Sequence, residues 1–331
     1  MRRFVAEWER QRAVLMAFPH ANSDWSNDLK RALVPFIRIA QAIAYKEPVY
    51  ILCDDRESIA NLFCSTRNLS FIEIPTNDTW IRDYGCLSIF EENELKFLDF
   101  TFDGWGGKFE ARLDNAVNQT LHQKGYLGTT PFESIDFVLE GGSVESDGMG
   151  TILTTTSCLC NPNRNGGLSK TEVEAKLRTY LGTTRVLWLD YGYLAGDDTD
   201  GHIDTLARFI DRDTIAYVKS YDHEDEHYQA LQQMETQLRE FRTLDGNPYR
   251  LIPLPMPQAQ YDAQGNRLPA TYANFLITNG ALIYPTYGVA EDQKVDAIFK
   301  NLFPTREVIP IRCNKLIEQG GSLHCSTMQL C

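Results

Sequence analysis

Apolar residues recur along the chain in short runs separated by polar, helix-patterned stretches. The runs are Ala13–Phe18, Pro48–Cys53, Leu69–Ile74, Leu95–Phe100, Thr151–Thr155, Thr184–Leu189, Thr214–Val218, Phe275–Thr278, Ala281–Pro285 and Glu307–Ile311. They are rich in Val, Ile, Leu and Phe and too short for buried helices, so they predict strands. Helical spacing predicts helices at Leu29–Tyr45, with Pro35 as a kink or a late start, and at Ala111–Lys124, Ser169–Tyr180, His227–Phe241 and Glu291–Phe303. In the last, Val295, Ile298, Phe299 and Leu302 fall on one face. Strands alternating with single helices predict an α/β protein. The proline-rich segment Pro253–Pro269 reads as a surface loop.

A weaker repetition underlies this pattern. Polar residues beside tight or glycine-rich turns mark the starts of strand regions: Glu9, Asp83, Glu140, His202, Asn274 and Cys325. Their spacing of roughly 60 residues suits a unit of two or three strands and one helix, and about five such units would fill the chain as a ring. An ordinary doubly wound sheet is the alternative.

The chain has 331 residues, 43% hydrophobic and 23% charged, long enough for one large core, a single domain over 1–331, or for two modest domains, and it needs no staples to fold. The net charge of −13 disfavours nucleic acid and anionic membrane as partners and tolerates a small cationic substrate. Glu7, Glu9, Arg10 and Arg12 interrupt any signal-like run near the start. The eight cysteines include no CxxC pair, so the expectation is a cytoplasmic protein with free thiols and no Cys-rich metal site. No dinucleotide or phosphate-loop glycine pattern, GxSxG elbow or HExxH helix occurs.

Candidate chemistry concentrates in a few segments. Cys325 follows His324 after Gly320 and Gly321. If Leu323–Ser326 is a strand, the two side chains point to opposite faces, so a cysteine nucleophile would take its histidine from elsewhere. GDDTDGHID offers His202 among Asp198, Asp200 and Asp204. These read either as acid/base groups, as a solvated turn, or as ligands of a hard divalent ion. NDTWIRDYG places Trp80, Arg82 and Asp83 together, where Asp83 either pairs with Arg82 or binds an external cation. Trp105 lies between glycines and either lines a pocket or caps the core. Glu140 follows the apolar run Ile135–Leu139 and needs a partner, for which His202 is suitable. Arg164 reads as a loop anchor, His223 and His227 as a solvated helix start, and His20 as a strand-end cap near the site.

Taken together, WIRD, FDGWGGK, EGGSVESDG, NPNRN, DDTDGHID, NFLITNGALIYPTYG and GGSLHC resemble the agmatine deiminase family, within the guanidine-modifying group that includes arginine deiminases and amidinotransferases. The likeness runs from AVLMAFPH to Cys325. It implies a pentein-like, pseudo-fivefold α/β propeller of five ββαβ blades. It also implies Cys325 as nucleophile, His202 as general acid/base, Glu140 orienting His202, and Asp83 and Asp204 gripping the guanidinium. Trp80 and Asp198 would fix the distal amine, with Trp105 also contacting substrate. The implied reaction converts agmatine to N-carbamoylputrescine and ammonia in polyamine metabolism, with no metal or organic cofactor. An arginine or peptidyl-arginine deiminase is the alternative, though no arginine stands out as a clamp for an α-carboxylate. A catalytically inactive binding propeller and a metal-dependent hydrolase are further readings. A homo-oligomer is compatible with all of them. The chain departs from the family pattern in having GGSLHC where GGGNIHC is usual, and in stopping at Cys331 without a Gln/Pro-rich tail.

Overall fold

A computed structural model describes residues 1–331. Each of the ten apolar runs contains or coincides with a strand, and the five helical patterns become helices with ends shifted by a few residues. The sheet pairing then shows one arrangement five times. An antiparallel pair is followed by a helix and by a third strand parallel to the second of the pair. Leu87–Glu91 and Glu94–Thr101 are joined by Val117–Gln123 to Phe132–Val138. Glu145–Ser146 and Thr151–Thr155 lead through Lys170–Leu181 to Arg185–Leu189. Ala207–Asp211 and Thr214–Lys219 lead through Tyr228–Glu240 to Arg250–Pro255. Leu276–Ile277 and Ala281–Thr286 lead through Glu291–Leu302 to Glu307–Arg312.

The fifth unit uses both ends of the chain. The C-terminal strand Met328–Leu330 pairs antiparallel with Ala13–Ala17, which leads through Leu29–Ala44 to Val49–Cys53 and Leu69–Glu73. Each helix buries an apolar stripe. In Leu29–Ala44 this stripe includes Phe36, Ile39 and Ile43, and the helix runs unbroken through the buried Pro35. The second strand of each pair has partners on both sides and, except for the exposed start of Glu94–Thr101, is almost wholly buried, as in Thr151–Thr155. One apolar cluster of 87 residues draws on all five units.

Two expectations need correction here. Pro253 and Pro255 do not lie in a loop. They belong to the outer strand Arg250–Pro255, where a missing N–H costs no ladder bond on the open side. Leu323–Ser326 is a turn rather than a strand, and the strand starts only at Met328.

The polar marker residues acquire a common position. Asp83, Glu140, His202 with Asp204, Asn274 and Cys325 each lie in the turn that enters the first strand of a unit. Glu9 does not belong to this set, because it pairs with Arg3; Glu7 is the buried acid of that segment.

Candidate active site

Three of these turns, those of Asp83, His202 with Asp204, and Cys325, line one cavity of about 590 Å³ including its mouth, together with Trp80 and Trp105, while Glu140 and Asn274 stand behind it against His202 and Cys325. Trp80 precedes and Asp83 lies within the one-turn helix Ile81–Tyr84, and the Arg82 N–H donates to the Cys325 carbonyl at 3.1 Å. That bond ties the Asp83 turn to the cysteine turn. Arg82 points away from Asp83, toward Gln329 at 2.7 Å, which leaves Asp83 available for other partners. Asp83 accepts the Trp105 indole N–H at 2.9 Å and the Gly142 N–H at 2.9 Å. His202 Nδ1 lies 3.5 Å from the same carboxylate.

Trp105 has φ 58° and ψ 51°, a left-handed backbone that a tryptophan rarely adopts. Three contacts hold it there. Its indole bonds to Asp83, and its ring stands edge-on to Phe102 at 5.0 Å and to Phe109 at 5.5 Å. Gly142 is required by space alone. A Cβ there would come within 2.7 Å of both Asp83 and His202 and within 3.3 Å of Asp204. Gly321 similarly allows the Trp80 ring to pack against the cysteine turn.

His202 precedes the 3-10 turn Ile203–Thr205, so His202 and Asp204 do not alternate along an extended strand as expected. Asp200 and Asp204 diverge. Asp200 pairs with Arg164 at 2.6 Å and Lys108 at 2.8 Å, while Asp204 receives His324 Nδ1 contact at 2.8 Å. The four groups of the metal reading therefore do not converge. Two other clusters bring possible ligands together, Glu140–Cys158–His202 and Glu7–Glu145–His324. Their carboxylates are already bonded to Arg164 and Arg208, and a divalent ion there would sit beside a guanidinium.

Glu140 is fully buried 3.4 Å from His202 Nε2. Arg164 Nε lies 2.8 and 2.9 Å from its two oxygens. Arg164 thus fixes the acid that faces His202, a part beyond the loop anchor inferred from NPNRN. Cys158 is no ordinary core thiol either, because its sulfur lies 3.7 Å from Glu140 Oε2.

Burial and the adjacent carboxylates Asp204 and Asp83 push the Cys325 thiol well above its ordinary value. Burial disfavours a charged His202, yet Asp83, Cys158 and Glu140 outweigh it and raise the imidazole well above its usual range. Burial likewise raises Asp83 against the pull of His202, whereas His324, His202 and Arg208 overcome burial at Asp204 and hold it low. Asp204 Oδ1 is buried and has no partner.

Six aspartates line the cavity: Asp24, Asp78, Asp83, Asp197, Asp198 and Asp204. No lysine or arginine joins them. At the rim, desolvation together with Asp24 and Asp198 raises Asp78 to about 6, and desolvation with Asp197 and Asp200 raises Asp198. These acids repel one another, and the nearest cation, Lys108, offsets this only in part because it is paired with Asp200 at 2.8 Å. His20 lies outside the cavity, paired with Asp54 at 3.3 Å. His227 is not solvated. It is buried, set 2.7 Å from Asp225, and accepts the Ala195 N–H at 2.8 Å, while His223 is exposed.

No helix is long and apolar enough to cross a membrane. A family model described as Porphyromonas-type peptidyl-arginine deiminase matches residues 3–331. A candidate arginine deiminase from Porphyromonas gingivalis has the same fold, with TM-score 0.95 and 49% identity over 99% of this chain and 98% of that one. The C. jejuni agmatine deiminase with substrate bound superposes with TM-score 0.94 at 38% identity, over 100% of this chain and 96% of that one. A candidate agmatine deiminase from Legionella pneumophila is 36% identical over 98% of this chain and 93% of its own length. The match along nearly the whole chain shows that this protein belongs to the agmatine and arginine deiminase family, within its Porphyromonas-type peptidyl-arginine deiminase group.

Proposed function

We propose that this protein hydrolyses agmatine to N-carbamoylputrescine and ammonia, with Cys325 as nucleophile. The observation that carries this reading is a cavity holding a buried thiol and His202 among six aspartates, with no fixed cation. Agmatine is a guanidinium joined to an amine, so both of its ends are positive. The relatives named as agmatine deiminases support the same substrate.

Asp83 and Asp204 grip the planar guanidinium, and the unpartnered Asp204 Oδ1 receives one of its N–H groups. The amine lies toward Asp198 and Asp78 at the rim, with Trp80 and Trp105 as apolar walls. Substrate charge also favours the thiolate, which the empty cavity opposes. As the cation binds, the thiol loses its proton to solvent, and the thiolate sulfur attacks the guanidinium carbon to form a tetrahedral intermediate. His202, held protonated by Asp83 and Glu140, gives its proton to the departing nitrogen, and ammonia leaves. The neutral imidazole then takes a proton from water as the oxygen attacks the amidino-thioether carbon. Collapse of the second tetrahedral intermediate expels the thiolate and releases the urea product. None of these steps calls on a metal or an organic cofactor.

We extend the reading to the architecture. The five ββαβ units close as a five-bladed ring, and residues 1–331 form one catalytic domain. Five units of one topology, pairing of the two chain ends, and three turns lining one cavity with the other two packed behind it support this. Eight unpaired thiols support a cytoplasmic location.

The family description and the P. gingivalis relative favour a second reading, arginine or peptidyl-arginine deimination. Free arginine would bring an α-carboxylate to the acidic rim, where the cavity lining offers no lysine or arginine and the neighbouring Lys108 is already paired with Asp200 at 2.8 Å. Ammonia release from agmatine, L-arginine and a peptidyl-arginine, measured side by side, decides between them. The expected result is strong preference for agmatine. Preference for either arginine substrate, or no turnover of agmatine by folded protein, overturns the assignment.

A further inference from the structure

Asn274 enters the fourth unit just before the strand Leu276–Ile277 and is completely buried. Its side-chain Oδ1 accepts the backbone N–H of His324 at 2.8 Å and of Cys325 at 3.3 Å. Backbone N–H groups only donate, so these two bonds fix which end of the amide is oxygen. The Nδ2 end therefore faces the opposite groups. It donates to Asp204 Oδ2 at 3.1 Å and stands 3.3 Å from Cys325 Sγ. One amide thus directs its N–H bonds at two groups, the Asp204 carboxylate and the sulfur that must become a thiolate.

The geometry distinguishes the two protonation states of the sulfur. As a thiol, Cys325 has acceptors at Asn274 Oδ1, 3.5 Å away, and at Asp204 Oδ2, 3.7 Å away. As a thiolate it can only accept, and the Asn274 N–H is the side-chain donor placed to serve it. A thiolate at that distance from the Asp204 carboxylate would otherwise be opposed by like charge in a desolvated site. Hydrogen bonds to an ionised acceptor are roughly twice as strong as neutral ones.

We propose that Asn274 is a catalytic residue: its side-chain N–H holds the Cys325 thiolate, and the same amide fixes Asp204 and the cysteine turn in register with it. This rests on Cys325 being the nucleophile. It also explains why a polar residue occupies a fully buried position at the head of an apolar strand, a place where an unused amide is costly.

The test reads the sulfur directly, without turnover. Cys325 in the full-length protein is alkylated with iodoacetamide at fixed pH and followed by peptide mass spectrometry, with the exposed Cys64 as internal standard. Asn274→Ala removes the whole amide. Asn274→Asp keeps the shape and the acceptor for both backbone N–H groups but loses the donor, and it carries the test if the alanine variant does not fold. Below the thiol pKa the rate follows the thiolate fraction, and one pKa unit is tenfold. The expected result is Cys325 alkylation slowed about tenfold or more in each folded variant, Cys64 unchanged, and the kcat profile displaced to higher pH. A Cys325 rate within about twofold of wild type in either folded variant, well short of that tenfold, overturns the proposal. Failure of wild-type protein to release ammonia from agmatine would instead overturn the substrate assignment, since the alkylation difference does not depend on it.

Discussion

Behind Asp204, buried charge is balanced within the chain; in front of it, the cavity leaves buried charge unbalanced. On the inner side, Arg208 bonds to Glu145 and to Glu7 at 2.8 Å, and His324 bridges Glu7 at 2.6 Å to Asp204 at 2.8 Å. Arg82 completes the set, 3.8 Å from Glu7. On the cavity side Asp83, Asp198 and Asp78 all have raised carboxyl values, and the only basic side chain lining the space is His202. Buried ions cost free energy unless paired. The inner network meets that cost with internal partners, whereas the cavity leaves it to be met by a cation from outside. The same residue types therefore serve stability on one side and binding on the other.

Substitution on each side should break this contrast in opposite ways. The largest effect is expected for Cys325→Ala, which should reduce ammonia release by about four orders of magnitude or more while leaving the denaturation midpoint near wild type. Next, Asp83→Asn should lower kcat/KM by about two to four orders of magnitude. It should not destabilise the protein, because the folded state already disfavours charge there. A matching loss of stability would show that Asp83 is a structural acid like Glu7. On the inner side, Arg208→Met strands Glu7 and Glu145 and should cost about 3–5 kcal/mol in urea denaturation. A smaller loss would mean that water or rearrangement relieves the network.

Two finer measurements sharpen the contrast. Asp198→Asn should raise KM for agmatine about tenfold and leave an alkylguanidine without the distal amine nearly unaffected, consistent with one partly exposed ion pair. Equal effects on both would remove Asp198 from the amine site. The smallest effect concerns pH. Asp78 moves from an ordinary 3.8 to about 6 in the folded protein. Between those values the folded state holds more protons than the unfolded one, so this group's contribution to stability is lost as pH rises through about 6. Thermal denaturation of Asp78→Asn should show a flatter decline over that range, and agmatine bound to Cys325→Ala should offset the decline in the intact cavity. An unchanged slope in Asp78→Asn would contradict this account of the rim.

The contrast also separates what could be read from the chain from what could not. Apolar runs announced the second strand of every unit and the third strands Val49–Cys53, Arg185–Leu189 and Glu307–Arg312, but not the third strand Phe132–Val138, which Glu133, Ser134 and Asp136 interrupt, nor Arg250–Pro255, whose prolines read as a loop. Short first strands were harder to see. Ala207–Asp211 carries the buried Arg208, Glu145–Ser146 is two residues long, and Met328–Leu330 pairs with a strand at the other end of the chain. Trp80, Asp83, Trp105, Asp198, His202, Asp204 and Cys325 were nameable because each sits beside a turn signal and matches a motif, whereas nothing local marks Asp24, Asp78 and Asp197 as cavity residues. The inner network was not, because its partners are remote. Glu7 meets Arg208 across 201 positions and His324 across 317, and no local pattern marks either pair. Arg164 and Cys158 escaped for the same reason, since their meeting with Glu140 depends on how the second unit folds back.

If Cys325 attacks a cation drawn into the acidic cavity, its sulfur carries part of the substrate during turnover. Rapid quenching during agmatine turnover, followed by mass spectrometry of the peptide containing Cys325, tests it most directly. The predicted result is transient gain at Cys325 of the mass of agmatine less ammonia, appearing before steady ammonia release and absent in Cys325→Ala. Sustained turnover with no adduct on Cys325, or turnover by Cys325→Ala at the wild-type rate, would contradict it.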